Sequence, residues 1–166
     1  MAAKDACPCK SGRPYKACCE PFHRGLSEAP DAEALMRSRF AAFAKKEVEY
    51  LYRTMHPEHP DRSHDKAAVL RALKASASGF RYAGLMILDR RDPGEDGVAQ
   101  VLFLARLYEG SNDRSFVELS DFVHDGEGFR YLRGKLISAA AVKGDPAALT
   151  IEAFGASFGR QPPSQQ

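Results

Sequence analysis

Four cysteines lie within thirteen residues, in the stretch CPCKSGRPYKACC at 7–19, and the chain has no others. A segment this short owns no hydrophobic core, so a covalent or coordinate link must hold it together. Disulfides are one answer. Joining Cys18 to Cys19 needs a strained ring, joining Cys7 to Cys9 leaves one residue between the partners, and crossed pairings would staple only a short loop. A metal is the other answer. Zinc takes thiolates tetrahedrally at about 2.3 Å, with Cys7 and Cys9 supplying one pair of corners and Cys18 and Cys19 the other. Ser11-Gly12 can turn the chain between them, because glycine tolerates positive φ. Four sulfurs leave no position for water, so a single zinc ion here would be structural. Lys10, Arg13 and Lys16 lie inside the loop and offset the excess thiolate charge, and Tyr15 can cover one side of the sulfurs.

Compartment bears on that choice. The start, MAAKDACPC, has no apolar stretch of signal-peptide type, so a cytoplasmic protein with reduced thiols is expected. No apolar run reaches the length of a membrane span, and no membrane association is expected. The formal net charge of +2 is too small to argue for nucleic acid, and sequence-specific binding to it is not expected.

Beyond the cysteines, residues 20–30 carry two prolines and a glycine and read as a linker, with Phe22 packing back and His23 an exposed linker histidine rather than a competitor for the metal. Asp31 is a good N-cap for a helix over 31–43, with Leu35, Met36, Phe40 and Phe43 on one face. A second helix follows over 48–55, stopped by Pro57, and Ser63 or Asp65 can cap a third over 66–77. The chain then turns β-rich. Strands are expected over 80–92, 98–110, 115–125 and 129–134, with turns at PGEDG, SNDR and GEG. In the second strand Val98, Gln100, Leu102, Leu104 and Arg106 alternate with Ala99, Val101, Phe103, Ala105 and Leu107. Helices followed by a strand meander give an α+β fold, a curved antiparallel sheet wrapped on helices as a cone with an open mouth. Three parts are expected: a metal-binding segment at 1–25, the α+β domain at 26–142 and an extension at 143–166. That extension has one more apolar stretch and a disordered end, RQPPSQQ.

C-P-C-x-S-G-x-x-Y-x-x-C-C resembles the SEC-C motif, the zinc-binding tail of the SecA translocation ATPase. It departs from the motif at Lys10, where glycine is usual, so the turn there is expected to differ or to be strained. Cys19 stands where many tails use histidine. Downstream, LMRSRFAAF, His56-Pro57, FLAR at 103–106, FVELSDF at 116–122 and FRYLRG at 129–134 resemble the YchJ family. The resemblance spans roughly residues 7–134 and implies a SEC-C motif joined to a domain similar to nuclear transport factor 2. Departures are Met55 in place of a tryptophan, Asp121 in place of a basic residue, and no second SEC-C motif.

Two functions follow. The SEC-C resemblance implies a non-catalytic adaptor that contacts the export chaperone SecB or the ribosome. Its surface would be Lys10, Arg13, Tyr15 and Lys16, although charge compensation of the thiolates alone also accounts for those cations. The alternative is a small-molecule binder or enzyme using the cone, with a pocket drawn from Arg37, Arg39, His56, Glu118 and Tyr131. There His56 would act as base, Arg39 as anchor and Glu118 as orienting group. A buried Arg39–Glu118 ion pair tying helix to sheet explains the same residues without a site. His59, His64 and His124 fall in loops or at strand ends and form no trusted metal pattern.

Overall fold

The computed structural model describes residues 5–159. The readings made from residues 1–4 and the disorder expected at 160–166 lie outside them. The cysteine segment folds as a loop with a short 3-10 turn at Tyr15–Ala17 and runs into a helical turn, α1, at Glu20–His23. Residues 20–23 are therefore helical rather than linker, and Phe22 packs against the main core. Helix α2 spans Ala32–Lys45, α3 Val48–Arg53 and α4 Lys66–Gly79. Asp31 caps α2 by accepting from the Ala34 amide at 2.8 Å, and Asp65 caps α4 through the Ala68 amide. Helix α3 stops at Arg53, short of the expected 55. Its end pairs with the sheet instead: the Tyr131 amide donates to Thr54 O and the His56 amide to Tyr131 O, both at 2.8 Å.

Strands β1 (Arg81–Arg91), β2 (Val98–Glu109), β3 (Asn112–Asp113), β4 (Phe116–His124) and β5 (Phe129–Ser138) form one antiparallel sheet. Its order is β1-β2-β4-β5, with β3 a two-residue return onto β2 where a plain turn was expected. Register shifts interrupt β1 at Tyr82/Gly84 and Ile87/Asp89, and the β4–β5 ladder at Asp121/Phe122. Extra residues of this kind bend a sheet, and the bent sheet wraps α2 and α3 as a cone.

Both faces of β2 are buried. Ala99, Val101, Phe103, Ala105 and Leu107 join Leu35, Met36, Phe40, Tyr50 and Leu51 in the core under the helices. Leu102 and Leu104, on the opposite face, join Val117 in a second core closed by helix α5, Ile151–Phe158, through Ile151 and Phe154. The C-terminal extension is thus the cover of the sheet's outer face. No helix among the described residues is long and apolar enough to cross a membrane.

Candidate functional site

The four cysteines converge. Their sulfur atoms all lie within 4.8 Å of one another. Cys9 Sγ is 3.6 Å from Cys18 Sγ, and Cys18 Sγ is 3.9 Å from Cys19 Sγ. A tetrahedron with metal–sulfur bonds of about 2.3 Å has edges of about 3.8 Å, so these separations suit one tetracoordinate ion. The chemistry of the donors agrees. Hydrogen bonds from the Cys19 and Cys7 thiols hold Cys9 far below the ordinary thiol range. The same bonds to Cys7 and Cys9, with burial, hold Cys19 far above it. A divalent ion takes the sulfurs as thiolates, so binding one releases their protons. All four are free of disulfides.

The loop is built around this convergence. Gly12 takes φ 85°, as its turn requires. Lys10, the departure from the motif, takes φ 64°, a left-handed conformation that costs a residue with a β-carbon about 1–2 kcal/mol. Tyr15 packs against the sulfurs. Arg37 on α2 donates to Cys9 O at 2.9 Å and pairs with Glu33 at 3.3 Å, so it anchors the loop and is not part of the cone cavity's lining. His23 is no exposed linker residue. Its Nε2 lies 2.7 Å from Ser38 O and its Nδ1 lies 2.7 Å from the Tyr15 hydroxyl, and its ring packs on Tyr50. A carbonyl only accepts, so Nε2 carries the hydrogen and Nδ1 accepts from Tyr15. Burial lowers the His23 pKa and keeps this neutral tautomer.

Of the surface cations, Lys10, Arg13 and Lys16 are exposed. Tyr15 is half-buried. Its hydroxyl is engaged by His23 and one ring face is covered by the Lys45 ammonium at 4.6 Å.

The cone encloses a cavity of about 570 Å³. Its walls are mostly apolar and rich in aromatic rings, among them Phe40, Phe43, Phe80, Tyr82, Phe103 and Phe116. Arg39, Glu118 and Tyr131 stand together in it. The Arg39–Glu118 contact expected from sequence is not direct. Arg39 Nη1 donates to Leu51 O at 2.8 Å and Thr54 Oγ1 at 2.7 Å, and its guanidinium lies 4.8 Å above the Tyr131 ring. Tyr131 in turn donates to Glu118 at 2.8 Å. Tyr131, expected among the pocket residues, is the mediator, a role that its place in the strand after Phe129-Arg130 does not show. Burial raises the Glu118 pKa, against the Tyr131 hydrogen bond and the Arg39 charge. Burial likewise pushes the Tyr131 hydroxyl well up, so it stays a donor.

His56 does not reach this chamber. Its Nδ1 accepts from the Glu58 amide at 3.1 Å in the loop after α3, which leaves it no role as the pocket's base. His59, expected as a solvated loop residue, is half-buried with its ring 5.1 Å from that of Tyr131.

Residues 4–21 match the SEC-C motif, and residues 31–134 match the middle NTF2-like domain of YchJ. The UPF0225 protein YchJ of Shigella dysenteriae is 36% identical over 129 residues, covering 77% of this chain and 81% of that protein. Two solved structures share the architecture. A SEC-C motif containing protein from Rhodopseudomonas palustris aligns with a TM-score of 0.68 at 28% identity, over 80% of this chain and 98% of that one. One from Psychrobacter arcticus aligns with a TM-score of 0.66 at 25% identity, over 86% and 89%.

Proposed function

This chain belongs to the YchJ family, and from that premise we propose that it is a zinc-stabilised, non-catalytic adaptor whose SEC-C loop contacts an acidic partner, SecB or a ribosomal surface. The supporting observation is the pairing of a SEC-C match at residues 4–21 with four convergent sulfurs and three exposed cations on the same short loop. Zinc suits the all-sulfur tetrahedral donor set better than harder cations do. Anchored by Arg37 and His23, the loop presents Lys10, Arg13 and Lys16 from a rigid base, which lowers the ordering cost of docking. Tyr15 acts as packing for the metal loop rather than as a contact.

The test uses the full-length zinc-loaded protein against purified SecB and, separately, ribosomes. Lys10→Glu with Lys16→Glu should abolish capture while zinc content and thermal stability hold, and capture by the native chain should weaken as salt rises. Undiminished capture by the double variant would sink the proposal.

One observation favours a second reading. A cavity of about 570 Å³, apolar-walled with a few converging polar groups, has the size and make-up of a small-molecule site. On this reading the cone holds a ligand and the zinc loop braces one of its walls.

A further inference from the structure

The walls of the cone cavity are largely apolar, but its one strongly buried cation is incompletely used. Arg39 is 7% exposed. Both of its described hydrogen bonds leave from Nη1, to Leu51 O and Thr54 Oγ1. Among the described residues, no side-chain nitrogen or oxygen shut off from solvent lacks a partner. Nε and Nη2, which have none, must therefore touch open space, and Arg39 lines the cavity. An Nε–H and an adjacent Nη2–H form the side-on fork that a carboxylate meets with two parallel hydrogen bonds.

The neighbours narrow the choice of head group. Glu118 brings a carboxyl into the same chamber, so a dianionic head would meet repulsion that a monoanion largely escapes. A cationic head would have to take Glu118, whose Oε1 already accepts from Tyr131 and lies flat against the backbone at Gly134, where a β-carbon would overlap it. Nearer Arg114, the pair Glu109–Arg114 at 3.3 Å adds no net charge to the lining. What remains is a single anionic group at Arg39 with an apolar body lying along Phe40, Phe43, Phe103 and Phe116.

We propose that the cone binds an amphiphilic monocarboxylic acid, with the carboxylate on the free Nε and Nη2 of Arg39 and the hydrocarbon or aromatic body against the phenylalanine walls. This rests on the cavity being a ligand site.

Four probes with one tail separate the head groups: decanoate, 1-decanol, decylammonium and decyl phosphate. Each is titrated below its micelle concentration into the full-length zinc-loaded protein, with amide and arginine Nε–H resonances followed by NMR. Decanoate should bind at least tenfold more tightly than decanol and decyl phosphate, and should move the Arg39 Nε–H resonance. Arg39→Met should erase that preference while decanol still binds. If loss of the Leu51 and Thr54 bonds prevents that variant from folding, Arg39→Lys keeps a cation without the fork. The comparison of heads on the native chain needs neither variant. Equal or tighter binding of decanol, decylammonium or decyl phosphate overturns the carboxylate assignment and leaves the cavity as a ligand site. No shift at any cavity residue with any probe overturns the ligand site itself.

Discussion

Gly134 shows how much one missing atom can hold in place. A β-carbon there would overlap the Glu118 carboxylate and crowd the Tyr131 hydroxyl, so the Glu118–Tyr131 pair exists because β5 has no side chain at that point. Gly134→Ala should lower stability by about 1–3 kcal/mol, the usual cost of overpacking, measured by urea unfolding. In a Glu118→Ala background the loss should shrink by more than half, because the nearest overlapped atom is gone and the Tyr131 hydroxyl, no longer held by Glu118, can move aside. An equal loss in both backgrounds would place the strain in the strand itself. Sequence marks a glycine in a strand as a point of close approach but does not say what approaches. Lys10 was more legible: the motif's usual glycine implies a left-handed residue, and φ 64° is what the lysine adopts. His23 misled because its two partners, Tyr15 and Ser38, belong to the loop before it and the helix after it. A proline-and-glycine context says nothing about either.

At the scale of elements, helix caps and strand alternation were readable because both are local. Asp31 and Asp65 cap the helices they precede, and β2 alternates as its side chains do. What covers each face is not local. The outer face of β2 meets α5, some fifty residues later in the chain, and an apolar stretch in a tail carries no address. The 3-10 turn at Pro60–Ser63 offers a measurable consequence of such packing. His59 caps it by accepting from the Asp61 amide at 3.1 Å through Nδ1, and its ring lies against Tyr131. Burial lowers the His59 pKa below its ordinary value, with Asp61 opposing. The folded chain thus prefers neutral His59, while the unfolded chain protonates it near pH 6.5. Its stabilising contribution is present above that pH and is lost as pH falls from about 6.5 through the lowered folded value. His59→Asn, which can cap the same amide, should flatten this acid slope, seen as a smaller drop in urea midpoint between pH 7.5 and 5.5 than the parent shows. Metal loss at low pH is common to both chains and cancels in the comparison. An unchanged slope would mean that His59 is already solvated.

At the scale of the molecule, α2 is the wall shared by two sites. Arg37, Ser38 and Ala41 face the metal loop, with Ala41 packed against its cysteines. Met36, Arg39, Phe40 and Phe43 line the cavity from the same helix. A loop that merely hung from the cone would leave the cone indifferent to the metal. The contacts argue otherwise, since losing the loop bares Ala41 and the His23–Ser38 and Arg37–Cys9 bonds on a helix packed at the heart of the fold. A metal held at a hundred times its dissociation constant stabilises the folded state by about 2.7 kcal/mol, and the whole of this reaches the cone only if loop and cone unfold together. Chelation should therefore do two things at once. It should open Lys10 and Lys16 to trypsin, Arg13 being shielded by the Pro14 that follows it, and it should lower the midpoint of the cone's unfolding followed at the β-sheet. Arg37→Met should preserve one bound metal per chain while separating the effects, so that chelation still exposes the loop but moves the sheet's midpoint less. Cleavage of the loop with no change in the sheet's midpoint in the parent chain would make the metal segment an appendage. A fall in the midpoint that Arg37→Met reduces would make α2 the element through which metal loading reaches the cavity.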